Sequence, residues 1–297
     1  MNTWKLRAGT LVAATLTAAT LMASTAMAAG LTVGFSQIGS ESGWRAAETS
    51  VTKQEAEKRG ITLKFADAQQ KQENQIKAVR GFIAQGVDAI LIAPVVATGW
   101  DAAVTSDQVH EGKVAGDWLV KDIGDKPCNV VELQGTTGSS PAINRKKGFE
   151  EGIAAASNIK IVKSQTGDFT RTKGKEVMES FIKSSNGGKD ICALYAHNDD
   201  MAVGGIQAIK EAGLKPGTDI KVVSIDAVPD IFQAMVDGEA NATVELTPNM
   251  AGPAFDAIEK FKADGTKPAK WIQTESKLYT PADDPKAVYE SKKGLGY

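Results

Sequence analysis

Phe35 to Arg45 holds the densest set of side chains able to contact a small polar molecule. A carboxylate (Glu41), a guanidinium (Arg45), the hydroxyls of Ser36, Ser40 and Ser42, and the rings of Phe35 and Trp44 fall within these eleven residues. The apolar run Leu31 to Phe35 reads as a buried strand, and a helix starts at about Ser42. The stretch between them is thus a turn at the carboxyl end of a first strand, where α/β folds bind ligands. Similar groups close later strand-like runs: His197-Asn198-Asp199-Asp200, Ser224-Ile225-Asp226, Gln134-Gly135-Thr136 with Asn144 and Arg145 beyond it, and Glu245-Leu246-Thr247-Pro248-Asn249. Each planar polar side chain can bond two vicinal hydroxyls, while Trp44, Phe35 or Trp100 can cover the apolar face of a ring. Any one of these residues could serve only as a cap or turn residue. Their recurrence at one end of a sheet points to a neutral, polyhydroxylated ligand.

Other chemistries lack their residues. Two His and two Cys make a multi-His metal site improbable, and no metal or cofactor is expected. No phosphate-binding glycine loop follows a strand, and no G-x-S-x-G elbow presents a nucleophile. His110 lies inside a helix and is expected on the surface. A sugar-processing enzyme with Glu41 and Asp226 as its carboxylate pair remains the alternative. A formal charge of −2 gives no reason to expect nucleic acid or an anionic membrane as partner.

The N-terminus supplies an address. Lys5 and Arg7 precede an apolar stretch from Ala8 to Met27 that ends in Ala26-Met27-Ala28, the pattern of a secretory signal peptide. Residues 1–28 are expected to be removed on export, leaving a mature protein in an oxidising space. Cys128 and Cys192 each head a strand-like run, and such a space favours a disulfide between them over two free thiols.

The remaining sequence positions these groups by alternating strands and helices. Strands are expected at 31–37, 62–66, 89–94, 130–135, 160–165, 192–196, 221–225, 242–246 and 271–280, with amphipathic helices between them. Gln70–Gln85, for example, places Ile76, Val79, Phe82 and Ile83 on one face. This alternation predicts α/β architecture with doubly wound parallel sheets, in more strands than one sheet holds comfortably. One unit is short. After Ala89–Pro94 the chain runs through Trp100–Val104 almost directly into a helix capped by Ser106 or Asp107, and the first lobe lacks roughly one βα unit.

The strings Leu31–Gln37, Asp88–Pro94, Ala196–Met201 and Ser224–Asp226 resemble the periplasmic sugar-binding proteins of ABC importers, of the ribose- and galactose-binding type. Glu41–Arg45, Asn144–Gly148 and Glu245–Pro253 resemble the galactofuranose-binding members. The resemblance spans essentially the whole mature chain. It implies two lobes joined by three crossovers, near Val104–Asp107, Leu246–Pro248 and Pro268–Gln273. The N-terminal lobe would comprise 29–104 and 248–270, and the C-terminal lobe 105–247 and 271–297. Ligand contacts would come from Glu41, Ser42, Gly43, Trp44 and Arg45 on one side and Arg145, Asn198 and Asp226 on the other. A monomer delivering galactofuranose to the permease subunits of an importer in the periplasm is the implied role. Relatives carry a further strand before the first crossover, ending in an Asp-Arg pair that binds sugar. Here that segment is missing between Val104 and Thr105, and the chain is expected to bind sugar weakly or not at all, losing roughly 1.5–3 kcal/mol per hydrogen bond to a charged group.

Overall fold

The computed structural model describes residues 30–94 and 100–297. The expected signal peptide lies outside the described residues. The strands and helices run in the order β1 (Thr32–Gln37), α1 (Gly43–Lys58), β2 (Thr62–Asp67), α2 (Gln72–Ala84), β3 (Ala89–Ile92), β4 (Ala103–Ser106), α3 (Gln108–Ile123), β5 (Cys128–Gln134), α4 (Ser140–Ile153), β6 (Ile159–Thr166), α5 (Arg171–Lys183), β7 (Ala193–Ala196), α6 (Asp199–Glu211), β8 (Lys221–Asp226), α7 (Pro229–Val236), β9 (Ala242–Glu245), α8 (Ala251–Asp264), β10 (Trp271–Thr274), β11 (Leu278–Tyr279) and α9 (Pro285–Lys292).

Three sheets organise these elements. A parallel sheet of order β2-β1-β3 forms the centre of the N-terminal lobe. A six-stranded sheet of order β11-β9-β8-β7-β5-β6 forms that of the C-terminal lobe, parallel except for β11. Between them β4 and β10 pair in parallel, two of the connections that pass between the lobes. The six-stranded sheet buries both faces. Val131, Leu133, Leu194 and Val222 pack under α5, α6 and α7, while Val130, Ala193, Tyr195 and Val223 pack under α3 and α4. Every residue of β7 is therefore buried, as a central parallel strand requires.

The expected 271–280 strand is two strands. β10 belongs with β4, whereas β11 joins β9 antiparallel, so Glu275, Ser276 and Lys277 carry the chain from one sheet to the other. The sequence reading did not anticipate α9, although its signals are ordinary: Asp284 accepts from the Ala287 N–H at 3.2 Å, and Pro285 occupies the first turn.

The N-terminal lobe is narrow. β3 pairs with β1, and among the described residues no strand pairs with its other edge. The apolar stripe expected on α2 is only partly realised: Phe82 is buried, but Ile76 is 45% and Ile83 65% exposed. Ile92 at the end of β3 is 46% exposed. A sheet three strands wide does not reach far enough to cover the whole helix face.

Glycines set the close approach of α3 and α4. Along α3 and α4, Gly112 and Gly116 face Gly148 and Gly152 in a reciprocal four-residue spacing. A Cβ at Gly148 would stand 1.9 Å from the Val109 carbonyl oxygen, and one at Gly112 would stand 2.2 Å from that of Arg145. The helices therefore touch backbone to backbone, which brings Glu111 against Arg145. Gly148→Ala is expected to force them apart, costing about 1–3 kcal/mol in urea denaturation and loosening the Glu111–Arg145 contact. An unchanged midpoint would contradict this packing.

Candidate functional site

The carboxyl ends of β1, β5, β7 and β8 face the space between the lobes, and the predicted residues gather there. On the N-terminal side, Ser42 caps α1, its Oγ accepting from the Arg45 N–H at 3.3 Å. Arg45 then lies between two carboxylates, with Nη1 2.8 Å from Glu48 and Nε 3.4 Å from Glu41. Its guanidinium sits 4.9 Å from the Trp44 ring centroid. Glu48 also accepts from the Gln37 amide at 3.0 Å, so the end of β1 and the first turns of α1 form one rigid cluster. Glu41 is different. Its Oε2 is buried and has no hydrogen-bond partner in the protein. Trp44 turns its indole N–H to the Leu246 carbonyl at 2.7 Å, fixing the ring against the crossover that follows β9.

On the C-terminal side the centre is Arg145, 2% exposed on α4. Its Nε donates to Glu111 at 2.9 Å and Nη1 to the His197 carbonyl at 2.6 Å, while Nη2 lies 3.5 Å from Asp226. Glu111, 0% exposed, also accepts from Ser106 on β4 and from Ser276 at 3.5 Å. Asp226 closes β8 with a φ of 124°, and Ala227 follows at 60°. Two consecutive non-glycine residues at positive φ mark a strained turn of the kind concentrated at ligand sites. Asn198 is engaged as the cap of α6, accepting from the Met201 N–H at 3.0 Å and donating to the Phe169 carbonyl at 3.1 Å.

The structure brings Glu41, Ser42, Gly43, Trp44 and Arg45 opposite Arg145, Asn198 and Asp226. Arg45 lies close enough to Asp226 for that carboxylate to stabilise its charge across the cleft. Trp100 is elsewhere, edge-on to Trp271 with ring centroids 4.8 Å apart. Phe35 is 3% exposed and packs against Phe65, so it belongs to the core. His110 is exposed, as expected. Cys128 and Cys192 are bonded, with Cα atoms 5.2 Å apart at the amino ends of neighbouring β5 and β7, opposite the cleft. Among the described residues no group of His, Cys, Asp or Glu could hold a metal ion, and no helix is long and apolar enough to cross a membrane.

Several organising residues escaped sequence reasoning. Glu111 sits in an ordinary amphipathic helix, and only the glycine beside it hinted at a close crossing. Asp199 was visible in its tetrapeptide but not its role: it accepts from Ser224, from Thr243 at 2.8 Å and from the Val228 N–H at 2.8 Å. His197 is wholly buried, its Nδ1 accepting from the Gly135 N–H at 3.3 Å and its Nε2 facing Glu132 at 3.1 Å. It links β5 to β7 as a neutral ring, burial holding its pKa below the usual value.

Burial pushes Asp226 well above the usual carboxylate range against the pull of Arg145, and it pushes Asp199 to about 7 against three hydrogen bonds. The native state thus keeps a proton on Asp199 that the unfolded chain releases above about 3.8, and stability falls as pH rises from there to about 7. His197 acts oppositely: the unfolded chain takes up a proton below about 6.5 that the native ring resists, so stability is lost as pH falls. Glu132 is held at about 2; burial opposes its charge, but hydrogen bonds from His197, Ser164 and Lys146 prevail, and its contribution is lost only below about 4.5. Asp199→Asn, which resembles the protonated acid, isolates the first effect. The stability of wild type relative to this variant is expected to decline between pH 4 and 7 by at most about 1.4 kcal/mol per unit, measured by urea denaturation. A flat difference would show Asp199 ionised throughout.

A two-lobed α/β fold with polar strand ends facing an interlobe cleft is the architecture of a binding protein. The family profile described as a periplasmic binding protein domain matches residues 99–255. The galactofuranose-binding protein YtfQ of Escherichia coli (strain K12) is 65% identical over 298 positions, covering 91% of this chain and 93% of that protein. A crystal structure of a galactofuranose binding protein superposes with a TM-score of 0.87 at 66% identity, covering 90% of this chain and all of that one. The binding component of the arabinose ABC transporter from Shewanella sp. ANA-3, solved with α- and β-L-arabinofuranose, gives a TM-score of 0.84 at 52% identity, covering 88% and 95%. The chain belongs to the periplasmic binding protein family.

Proposed function

We propose that the chain is a monomeric periplasmic receptor that closes on galactofuranose and presents it to the permease subunits of an ABC importer. The observation that carries this reading is the buried, unpartnered Glu41 Oε2, whose other carboxylate oxygen lies 3.4 Å from Arg45 on the turn that follows β1. A buried acceptor without a donor is costly, and a sugar hydroxyl donating to it removes that cost. The relatives named above support the furanose ring form. Glu41, Ser42, Gly43, Trp44, Arg45, Arg145, Asn198 and Asp226 form the contact set in this reading. No chemistry is required of them, and a receptor returns its ligand unchanged. The relatives are binding proteins, which leaves the carboxylate-pair enzyme without support.

Affinity is reduced by the short N-terminal lobe. The alignment with the Escherichia coli protein runs over 298 positions but covers 91% of 297 residues, or about 270, so the relative is longer inside the matched region by about one strand–helix unit. The open edge of β3 and the exposed Ile92 fit that absence. Isothermal titration of the exported protein with galactofuranose is expected to give saturable binding weaker than micromolar. A micromolar or tighter value overturns the weakening and leaves the receptor; no heat with any furanose at millimolar concentration overturns the receptor.

A further inference from the structure

We propose that Asp200 is a closure clasp, a positioning residue that sets ligand affinity by holding the two lobes together across the cleft without itself touching ligand. Its Oδ2 accepts from the Gly43 N–H at 2.9 Å, a contact spanning 157 residues and both lobes. Gly43 is the first residue of α1, and the first N–H groups of a helix have no partner within it. Ser42 covers only the Arg45 N–H, so the acceptor for Gly43 comes from the opposite lobe.

The carboxylate is built for that reach. Asp200 lies in the first turn of α6, 5% exposed. Arg171, at the start of α5, donates to its Oδ1 from Nε at 3.2 Å and from Nη2 at 2.9 Å, and Nη2 is held in turn by Asp230 of α7 at 2.8 Å. Three C-terminal-lobe helices therefore fix Oδ1, and Oδ2 projects toward the amino end of α1, where the helix dipole favours an anion. Opening the cleft leaves the Arg171 contacts intact, because both partners move with one lobe, and breaks only the bond to Gly43. An interaction present in the closed state alone shifts the open–closed equilibrium, and through it the apparent affinity for any ligand that requires closure. Both oxygens are used by protein donors, which separates Asp200 from Glu41 with its free oxygen.

The clasp rests on the receptor reading for its affinity arm alone. The partner's donor can be removed: proline is well tolerated at the first helical position and Ser42 before it is extended at φ −140°, ψ 159°, although the ring's Cδ then takes the hydrogen's place against Asp200 Oδ2 and adds repulsion to the lost bond. A Cβ at Gly43 would stand 3.6 Å from Asp200 Oδ2, an ordinary contact. Asp200→Ala, Gly43→Pro and the double variant are titrated calorimetrically with galactofuranose, with circular dichroism melts as the check on folding. Each single change is expected to raise Kd about tenfold or more, and the double variant to bind no more weakly than the worse single one. Additive effects, or an unchanged Kd in Asp200→Ala, overturn the clasp. Small-angle scattering supplies the second arm: the ligand-free Asp200→Ala protein is expected to have a larger radius of gyration than wild type. Equal radii overturn the clasp even if wild type binds no furanose, the result that would defeat the receptor reading instead. If Asp200→Ala melts before assay, Asp200→Asn keeps the volume, removes the charge and is read by the same two arms.

Discussion

Arg145→Met is expected to abolish ligand binding and to cost about 3–5 kcal/mol of folding stability. The guanidinium is 2% exposed and compensates Glu111, which is 0% exposed. Without it, Glu111 retains the hydroxyls of Ser106 and Ser276 but no counter-charge. The His197 carbonyl also loses its donor at the turn into α6. Asp226 loses the Arg145 charge that pulls against its burial, so its pKa is pushed still further above the usual carboxylate range. Urea denaturation and calorimetric titration read the two losses separately. Glu111→Gln together with Arg145→Met tests the attribution: removing both charges is expected to recover most of the stability and none of the binding, since an uncompensated buried charge, rather than lost attraction, carries most of the cost. Recovery of binding would remove Arg145 from the contact set.

Glu111 also connects this site to the moving parts of the fold. Ser106 lies on β4 and Ser276 just beyond β10, two of the segments that join the lobes, and both donate to the carboxylate that holds Arg145. The connecting segments and the Arg145 cluster thus share Glu111. Together with Trp44 anchored on Leu246 and Gly43 on Asp200, each wall of the cleft is tied to the other by side chains that do not depend on ligand.

The sequence carried the alternation of strands and helices because each element obeys its own period: β7 is uniformly apolar where both faces are buried, and α4 starts at a serine cap followed by proline. The polar residues that gather at the cleft were legible because they sit at or just beyond strand ends, which helix stops and caps locate to within a residue or two. Long-range partnerships were not legible. Nothing local in Gln108–Ile123 distinguishes Glu111 from a surface glutamate; only the meeting of Gly112 with Arg145 across two helices buries it. The split of 271–280 into two strands was equally hidden, since both halves are extended and differ only in which sheet receives them. Asp200 read as one more polar residue in a helix-start tetrapeptide, and its acceptor role depends on a backbone 157 residues away.

Removing the disulfide is the second large effect, and it is expected to act on stability alone. The bond closes a loop of 64 residues, for which chain entropy predicts a loss of about 4 kcal/mol when both cysteines become alanine. Cys128 is the first residue of β5 and Cys192 immediately precedes β7, joined also by the Cys192 N–H to the Asn129 carbonyl at 2.9 Å, so the native pairing persists without the bond. The cleft lies at the other end of the same strands, beyond Gln134 and Ala196. Cys128→Ala with Cys192→Ala should therefore lower the urea midpoint strongly while leaving Kd unchanged wherever the protein is still folded. Wild type in reducing buffer should follow the same curve. A raised Kd at full folding would mean that strain passes along β5 and β7 to Arg145 and Asn198. An unchanged midpoint would mean that the unfolded chain between the cysteines is already compact. The six-stranded sheet thus separates its features by strand polarity: the amino ends carry the covalent restraint on unfolding, and the carboxyl ends, where the Asp226–Ala227 turn is strained and burial raises the pKa of Asp199 and Asp226, face the cleft.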